Sequence, residues 1–156
     1  RLPEITTSDL SVPAQGLELI LPLGDPSNLG AALRSAEAFG VKKVYLTEDA
    51  ANPFLPKSVK ASAGSIFKLQ ISKTKKLAEV ISTKASSPLV ALDGLGENIQ
   101  KFKWPKNVRL IVGEEGPGLG ENQSNVQLLS IPTIGVESLN AVVATSIALY
   151  DYQSKK

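Results

Sequence analysis

Cysteine, histidine and methionine are all missing from the 156 residues of this chain, and aromatic residues make up only 5% of it. The lack of cysteine and histidine excludes disulfides, thiolate chemistry, zinc and haem ligation by these residues, and an imidazole general base. No apolar run approaches the roughly 18 residues that span a membrane. Any chemistry must therefore use Arg, Lys, Asp, Glu, Ser, Asn or Tyr side chains.

The rest of the composition is that of a globular protein. Hydrophobic residues make up 42% of the chain and charged residues 21%, and the length suits one domain with a substantial core. Seventeen basic and fifteen acidic residues give a net charge of +2, which is too small to indicate a nucleic-acid partner. Charge alone therefore names no partner.

The first sixteen residues differ from the remainder of the chain. They have weak periodicity and contain Pro3 and Pro13, so we predict a lead-in strand or connector over 1–16. Because the chain begins at Arg1 and contains no Met, we expect a trimmed domain of a longer protein. Residues 1–16 would then lead in from a missing N-terminal domain, and residues 17–156 would form the main domain.

From residue 17 onward, strand-like and helix-like segments alternate. The predicted strands are 17–23, 41–47, 66–71, 89–92, 108–112 and 126–131. The predicted helices are one from about 27 to 40, capped by Ser27 or Asn28 and ended by Gly40, then 57–63, 74–82 and a final helix that runs to Tyr150. Strands joined by helical crossovers predict an α/β fold with a mostly parallel sheet flanked by helices.

The stretch 131–150, IPTIGVESLNAVVATSIALY, begins as a loop and places Ser138 and Asn140 at the start of the final helix. The helix is apolar almost all the way round, so we expect it to be buried on most faces. A buried helix with polar side chains at its loop-facing start is suited to form the floor of a binding site.

Three loops come after predicted strands and should meet at the carboxyl edge of the sheet, where ligands bind in open α/β folds. They are 24–34, 113–120 and 131–140. None contains the glycine spacing of a Rossmann site or the Gly-Lys-Ser/Thr of a P-loop, so common nucleotide motifs are excluded. The motif Gly-Leu-Gly-Glu-Asn occurs at 94–98 and again at 118–122, which we interpret as similar turn chemistry used twice.

Single residues in these loops have ordinary structural explanations as well as functional ones. Arg34 lies two turns into the first predicted helix, where it can reach back toward the loop edge or form a surface pair with Glu37. Asn28 can cap that helix or serve a site. Glu114 and Glu115 are adjacent carboxylates among glycines that allow a ligand to approach the backbone, which favours a functional loop.

Taken together, the three stretches resemble the SpoU, or TrmH-like, branch of the SPOUT RNA methyltransferases. The first is GDPSNLGAALRSAEAFG, with Asn28-x-Gly30 and Arg34; the second is GEEGPGL from Gly113; the third is Ile131-Pro132 followed by Ser138-Leu139-Asn140. The resemblance covers almost the whole chain and includes the segment Lys60-Ala61-Ser62-Ala63-Gly64. Two departures are Glu114, where many relatives carry Asn, and Thr133, where Met is common.

The resemblance implies a SPOUT fold with a C-terminal trefoil knot, S-adenosylmethionine as methyl donor, a ribose 2′-hydroxyl of structured rRNA or tRNA as acceptor, a homodimer and a cytoplasmic location. The catalytic residues that it implies are Arg34, Asn28, Glu115, Ser138 and Asn140. The implied cofactor-binding residues are Leu92, Gly94, Gly113, Gly116, Gly118, Ile131 and Leu139. Lys57 and Lys60 are expected to meet RNA phosphates or to form a solvated helix face.

Since guanidinium groups stay protonated, Arg34 is expected to stabilise a developing alkoxide and grip a phosphate rather than act as a literal base. Two alternatives to the methyltransferase remain at this point. One is a noncatalytic RNA-binding or scaffold protein with the same fold, and the other is a small-molecule α/β enzyme of an unrelated family.

Overall fold

The computed structural model describes residues 2–113, 119 and 124–156, which form a six-stranded parallel sheet with helices on both faces. The strand order is β3-β2-β1-β5-β4-β6. The strands are β1 (Leu17–Leu21), β2 (Lys43–Leu46), β3 (Gln70–Lys73), β4 (Leu89–Asn98), β5 (Val108–Ile111) and β6 (Val126–Ser130). The helices are α1 (Pro26–Ala38), α2 (Pro56–Ser62), α3 (Leu77–Ser82) and α4 (Ala141–Ser154). The predicted α/β class and parallel sheet are confirmed.

Alternating strand residues divide the core into two layers, because successive side chains point to opposite faces of a sheet. On β1, Leu19 and Leu21 belong to the layer that includes buried residues of α1 and α4. Ile20 belongs to the opposite layer, with Val80 and Ile81 of α3. Burial on both faces explains why the strands are nearly continuous apolar runs.

The caps of α1 correct one sequence expectation. The N-cap is Asp25, whose side chain accepts a hydrogen bond from the Asn28 backbone N–H at 2.8 Å, so neither Ser27 nor Asn28 caps the helix. Pro26 explains the earlier start, since proline suits the first turn of a helix. Gly40 comes just after the helix at a φ of +77°, which agrees with its predicted role at the helix end.

The predicted strand 66–71 was wrong in its first half. Ser65–Phe67 form a short 3-10 helix, and β3 begins only at Gln70. Ala63 and Gly64 both have positive φ and turn the chain sharply before this segment. Ile66 is therefore delivered to the core by a helical turn, which a run of apolar residues does not distinguish from a strand.

The pairing of β4 with β6 is unusual. Leu129 pairs in parallel with Leu92 and, after a register shift, also with Glu97. Between these pairings, Gly96 lies so close to the backbone of Leu128 and Leu129 that a Cβ atom there would be 2.4 Å from the Leu128 carbonyl carbon. The motif at 94–98, predicted as a loop, is therefore part of the irregular β4, while 118–122 lies outside the described residues except for Leu119.

Helix α4 is not buried on most faces, contrary to the sequence expectation. One side packs into the core, but Val143, Ile147 and Tyr150 are 48%, 36% and 64% exposed. These three positions are four and three residues apart, so they lie on one side of α4 and form one apolar stripe. The stripe stays exposed because the rest of the chain packs against the opposite side of the helix. None of the described helices is long and apolar enough to cross a membrane.

The described residues of the lead-in segment, 2–16, form no helix or strand and are docked against the sheet. Thr7 forms an isolated parallel bridge with Lys73 at the outer edge of β3. The buried Arg109 side chain donates to the carbonyl oxygens of Leu10 and Val12. The segment therefore lies along the α3 face of the sheet.

Candidate cofactor and active site

The carboxyl ends of the parallel strands place the predicted loops 24–34 and 131–140 at one edge of the sheet, together with Gly113 and residues 92–94 of β4. The rest of the predicted loop 113–120, apart from Leu119, lies outside the described residues. A cavity of about 250 Å³ opens at this edge. Its walls are residues 92–94 of β4, Val112 and Gly113 directly after β5, the loop after β6 and the first turn of α4. Its lining residues are Leu92, Asp93, Gly94, Val112, Gly113, Leu129, Ile131, Thr133, Glu137, Ser138, Leu139, Ala141 and Ala144.

Five predicted cofactor-binding residues lie together in this cavity, and Ser138, predicted as catalytic, lies with them. The five are Leu92, Gly94, Gly113, Ile131 and Leu139. They come from three loops separated by up to 47 positions in the chain, so only the fold brings them together. Three further predicted residues, Glu115, Gly116 and Gly118, lie outside the described residues.

The cavity has an apolar floor and a polar rim. Leu129 and Val112 are buried at the strand ends, while Glu137 and Ser138 are exposed. Gly113 and Gly94 have no atom within 4 Å of the place where a Cβ would be, so a ligand can approach the main chain closely there. A shallow apolar slot with main-chain groups at its rim suits a ligand with a flat ring and a polar tail, such as an adenosyl group.

Asn140 has a structural role in the described geometry. Its side-chain oxygen accepts hydrogen bonds from the Val142 and Val143 backbone N–H groups at 2.9 and 3.4 Å, which caps α4. Asn140 is not among the cavity-lining residues, although Ser138, Leu139 and Ala141 on either side of it are. The cap fixes where α4 begins and so positions its neighbours in the cavity.

Arg34 and Asn28 lie on α1, outside the cavity. The Arg34 side chain is exposed and forms no hydrogen bond or ion pair with another described residue. The surface pair with Glu37 is absent, because Glu37 pairs instead with Lys68 at 2.8 Å. Next to Arg34, the Ser35 hydroxyl lies 2.8 Å from that of Ser146, which joins α1 to α4. The exposed Arg34 side chain thus stays a predicted site residue that lies outside the described lining of the cavity.

Lys57 and Lys60 are exposed on α2, and neither is paired with an acid in the described part of the chain. Gly30 of α1 packs against this helix so closely that a Cβ would lie 2.2 Å from the Ser58 carbonyl oxygen. Gly30 thus has a packing role, which is to allow α2 to approach α1 closely.

Sequence reasoning missed several lining residues, most notably Asp93 and Glu137. Both are charged side chains next to predicted site residues. The one available signal was position, since Asp93 comes directly after a predicted strand and Glu137 directly precedes Ser138. Among the described residues, no group of three or more acids is placed to hold a metal ion.

Comparison with known proteins confirms the family resemblance that the sequence motifs indicate. The model of the SpoU rRNA Methylase family matches residues 19–150. Ribosomal RNA small subunit methyltransferase G 2 of Syntrophobacter fumaroxidans is 37% identical over 86% of this chain and 26% of its own length. The 23S rRNA (guanosine-2′-O-)-methyltransferase RlmB of Salmonella typhi is 32% identical over 81% of this chain and 55% of its own length.

A solved structure agrees with the fold. The AdoMet-bound rRNA methyltransferase from Sinorhizobium meliloti superposes with a TM-score of 0.82 and 27% identity, over 95% of this chain and 60% of that one. The chain thus spans about half, or less, of the length of these two curated methyltransferases. The similarity covers all of the elements that form the cavity.

Proposed function

The chain belongs to the SpoU rRNA methylase family, and from that premise we propose that it transfers a methyl group from S-adenosylmethionine to a ribose 2′-hydroxyl of structured RNA. The observation that carries the proposal is the cavity at the carboxyl edge of the sheet. It gathers Leu92, Gly94, Gly113, Ile131 and Leu139, which the family resemblance assigns to the cofactor. The unrelated small-molecule enzyme considered from the sequence is excluded by family membership.

When bound, S-adenosylmethionine supplies an electrophilic methyl group on a sulfonium. Transfer of that methyl group to the ribose oxygen would leave the electron pair of the broken sulfur–methyl bond on sulfur and would require the hydroxyl to lose its proton. The chain must hold the ribose in line with the methyl group and stabilise negative charge on the oxygen as that proton departs.

Arg34 is the residue that we assign to the ribose oxygen and the adjacent phosphate. Its exposed guanidinium carries five donors and a fixed charge, which suits a phosphate and a developing alkoxide. Ser138, which is exposed and lines the cavity, is the residue that we propose to hydrogen-bond the ribose. Asn28, Asn140 and Glu115 complete the proposed catalytic set, and Gly116 and Gly118 the proposed cofactor loop.

We also propose that the chain forms the trefoil knot implied by the resemblance. Support comes from Leu129, because a residue in a parallel strand has one pairing partner on each edge, and here Leu92 and Glu97 are both partners. The segment 93–96 would then pass from one edge of β6 to the other. The tight contact of Gly96 with the Leu128–Leu129 backbone fits such a crossing.

A homodimer is the proposed assembly. The stripe of Val143, Ile147 and Tyr150 on α4 is a continuous exposed apolar surface on a helix whose other side is core. Covering this stripe with the same stripe of a second copy would form a two-fold interface. It would also explain the all-round apolarity of α4 in the sequence.

Lys57 and Lys60 are proposed to contact RNA phosphates, since both are exposed and unpaired within the described residues. Selection of a particular RNA is assigned to parts of the protein outside this cavity. The cytoplasmic location expected from the resemblance is retained as part of the same proposal.

The proposed activity is tested by incubating the chain with methyl-labelled S-adenosylmethionine and RNA from cells that lack the enzyme. We expect label to enter the RNA in proportion to protein and time. Binding of the cofactor or RNA with no transfer would instead support the noncatalytic RNA-binding or scaffold protein. An Asp49→Asn variant, altered in an exposed turn after β2, serves as a matched control that should retain full transfer.

A further inference from the structure

Charge is distributed very unevenly along this chain. All seventeen lysine and arginine residues lie in 1–109 and 155–156, and the stretch 110–154 contains none. The same stretch carries five acids, namely Glu114, Glu115, Glu121, Glu137 and Asp151. The part of the sequence that supplies the loops after β5 and β6 is therefore negative, although the whole chain has a net charge of +2.

The cavity shows the same imbalance. Asp93 and Glu137 are the charged residues among its described lining, and no lysine or arginine accompanies them. Asp93 lies within the irregular part of β4 and Glu137 in the loop after β6, so the fold brings them to one slot. A cavity bordered by carboxylates without a countercharge favours a ligand that carries positive charge.

A turn within the irregular part of β4 fixes the direction of the Asp93 side chain. Its Oδ1 atom accepts a hydrogen bond from the Leu95 backbone N–H at 2.9 Å, which is an Asx-turn. The side chain is half-buried beside Leu92 and Gly94, two of the residues assigned to the cofactor. Glu137 is exposed and makes no hydrogen bond to another described residue, so it contributes a charge without a fixed direction.

We propose that Asp93, assisted by Glu137, makes this cavity prefer the sulfonium cofactor over the demethylated product. The inference rests on the proposed function, because it requires the cavity to be the S-adenosylmethionine site. Methyl transfer converts a positive sulfonium into a neutral thioether, so S-adenosylhomocysteine is one unit less positive than the methyl donor. Both molecules share the adenosine and amino-acid groups, and charge at sulfur is the main difference that a rigid slot can detect.

The expected size of the preference is modest. For charges several Å apart near a protein surface, Coulomb attraction corresponds to roughly five-fold to ten-fold in affinity for each carboxylate. Salt reduces it, since the Debye length is about 10 Å at 0.1 M ionic strength. A preference of this kind has a use in catalysis, because loss of the positive charge at each turnover weakens binding of the product and speeds its release.

The test is calorimetric titration of the whole chain with S-adenosylmethionine, S-adenosylhomocysteine and sinefungin, an analogue in which a protonated amine replaces the S-methyl group. The wild type is expected to bind both cationic ligands several-fold more tightly than the neutral product. Asp93→Asn should lower that ratio by about five-fold, chiefly through weaker binding of the cations. The amide oxygen of Asn can still accept from the Leu95 N–H, so the turn is preserved.

Glu137→Gln should lower the ratio by a smaller factor, because the side chain is exposed and unrestrained. The matched controls are Asp49→Asn and Glu48→Gln, which remove the same charges from an exposed turn outside the cavity lining. Their affinity ratios should equal that of the wild type. Raising the salt concentration should narrow the wild-type ratio and leave that of the double variant Asp93→Asn/Glu137→Gln nearly constant.

An unchanged ratio in Asp93→Asn, with all three ligands still bound, would overturn this inference and leave the proposed function standing. Equal effects in the Asp49→Asn control would overturn it as well, because the selectivity would then be a property of the overall charge. If the wild type bound none of the three ligands, the proposed function and this inference would fail together.

Discussion

The Arg109 guanidinium donates a hydrogen bond to the Glu18 carboxylate at 2.9 Å inside the sheet, where the two residues are register partners on β5 and β1. Arg109 is fully buried and Glu18 nearly so. The Arg109 Nη1 group also donates to the Leu10 carbonyl and the Ser86 hydroxyl, and its Nη2 group donates to the Val12 carbonyl. One buried cation thus joins two central strands to the lead-in connector.

Breaking this pair should be costly. Glu18→Gln leaves Arg109 buried without its counter-ion, and we expect the free energy of unfolding to fall by about 3–5 kcal/mol. Urea unfolding monitored by circular dichroism measures this loss. Glu4→Gln, at an exposed position in the connector, should change stability by less than about 0.5 kcal/mol. Equal stability of the two variants would show that the ion pair has no stabilising role.

Gly30 provides a second stability test, since a methyl group there would overlap the Ser58 carbonyl oxygen of α2. We expect Gly30→Ala to destabilise the fold by about 1–3 kcal/mol or more, because backbone atoms must shift to make room. Gly94→Ala is the matched comparison, as its added methyl group meets no atom within 4 Å. A Gly30→Ala melting temperature equal to that of the wild type would contradict the close helix packing.

Tyr152 gives a pH dependence. Burial raises the pKa of the Tyr152 hydroxyl above the usual 10.0, and this hydroxyl donates to the Lys106 carbonyl at 2.7 Å. The stabilisation that results from the raised pKa is fully present below pH 10.0 and is lost as the pH rises through the higher pKa of the folded state. We expect stability above pH 10 to fall more steeply in the wild type than in Tyr152→Phe.

Wild type and Tyr152→Phe also differ by one hydrogen bond, and its contribution can be separated from that of the raised pKa by measuring stability at lower pH. Below pH 9, Tyr152→Phe should lose about 1 kcal/mol through the missing hydrogen bond. If unfolding of wild type and Tyr152→Phe showed parallel pH profiles, titration of this hydroxyl would not be coupled to folding.

The apolar stripe of α4 leads to a prediction about assembly. Placing a carboxylate at its centre with Ile147→Glu should raise the dimer dissociation constant by at least about 100-fold, because the charge would be buried without a partner. Sedimentation velocity over a concentration series measures the change. Phe67→Glu, at an exposed apolar position on the 3-10 helix, should sediment like the wild type. A monomeric wild type would rule out the proposed dimer.

Most of the fold could be predicted from the sequence, because apolar runs and their punctuation are local signals. The strands around Leu19, Val44 and Leu110 are confirmed for that reason. The mistakes also have local causes. At Ile66 an apolar run is helical because positive φ angles at Ala63 and Gly64 redirect the chain, and the N-cap of α1 is Asp25, two residues before the earlier of the two expected caps.

The site was less accessible to sequence reasoning. Cofactor-binding residues were predicted from the resemblance; five of them line one cavity, and their role in binding stays a prediction. The second pairing of Leu129 with Glu97 depends on two segments about thirty residues apart, and no local pattern encodes it. Asp93 was missed because a single acid after a predicted strand is common. Its proposed role depends on the absence of basic residues among the described lining of the cavity, which only the structure shows.

The measurement that tests the central claim most directly is mapping of the methyl group on RNA labelled by the wild type and by Arg34→Ala. A 2′-O-methyl group blocks alkaline cleavage at its own nucleotide, so wild-type label should appear in alkali-resistant dinucleotides. Arg34→Ala should lose transfer by at least about 100-fold while binding S-adenosylmethionine normally, and Lys42→Ala, a surface cation before β2, should behave like the wild type. Label in alkali-sensitive mononucleotides, or near wild-type transfer by Arg34→Ala, would contradict the account.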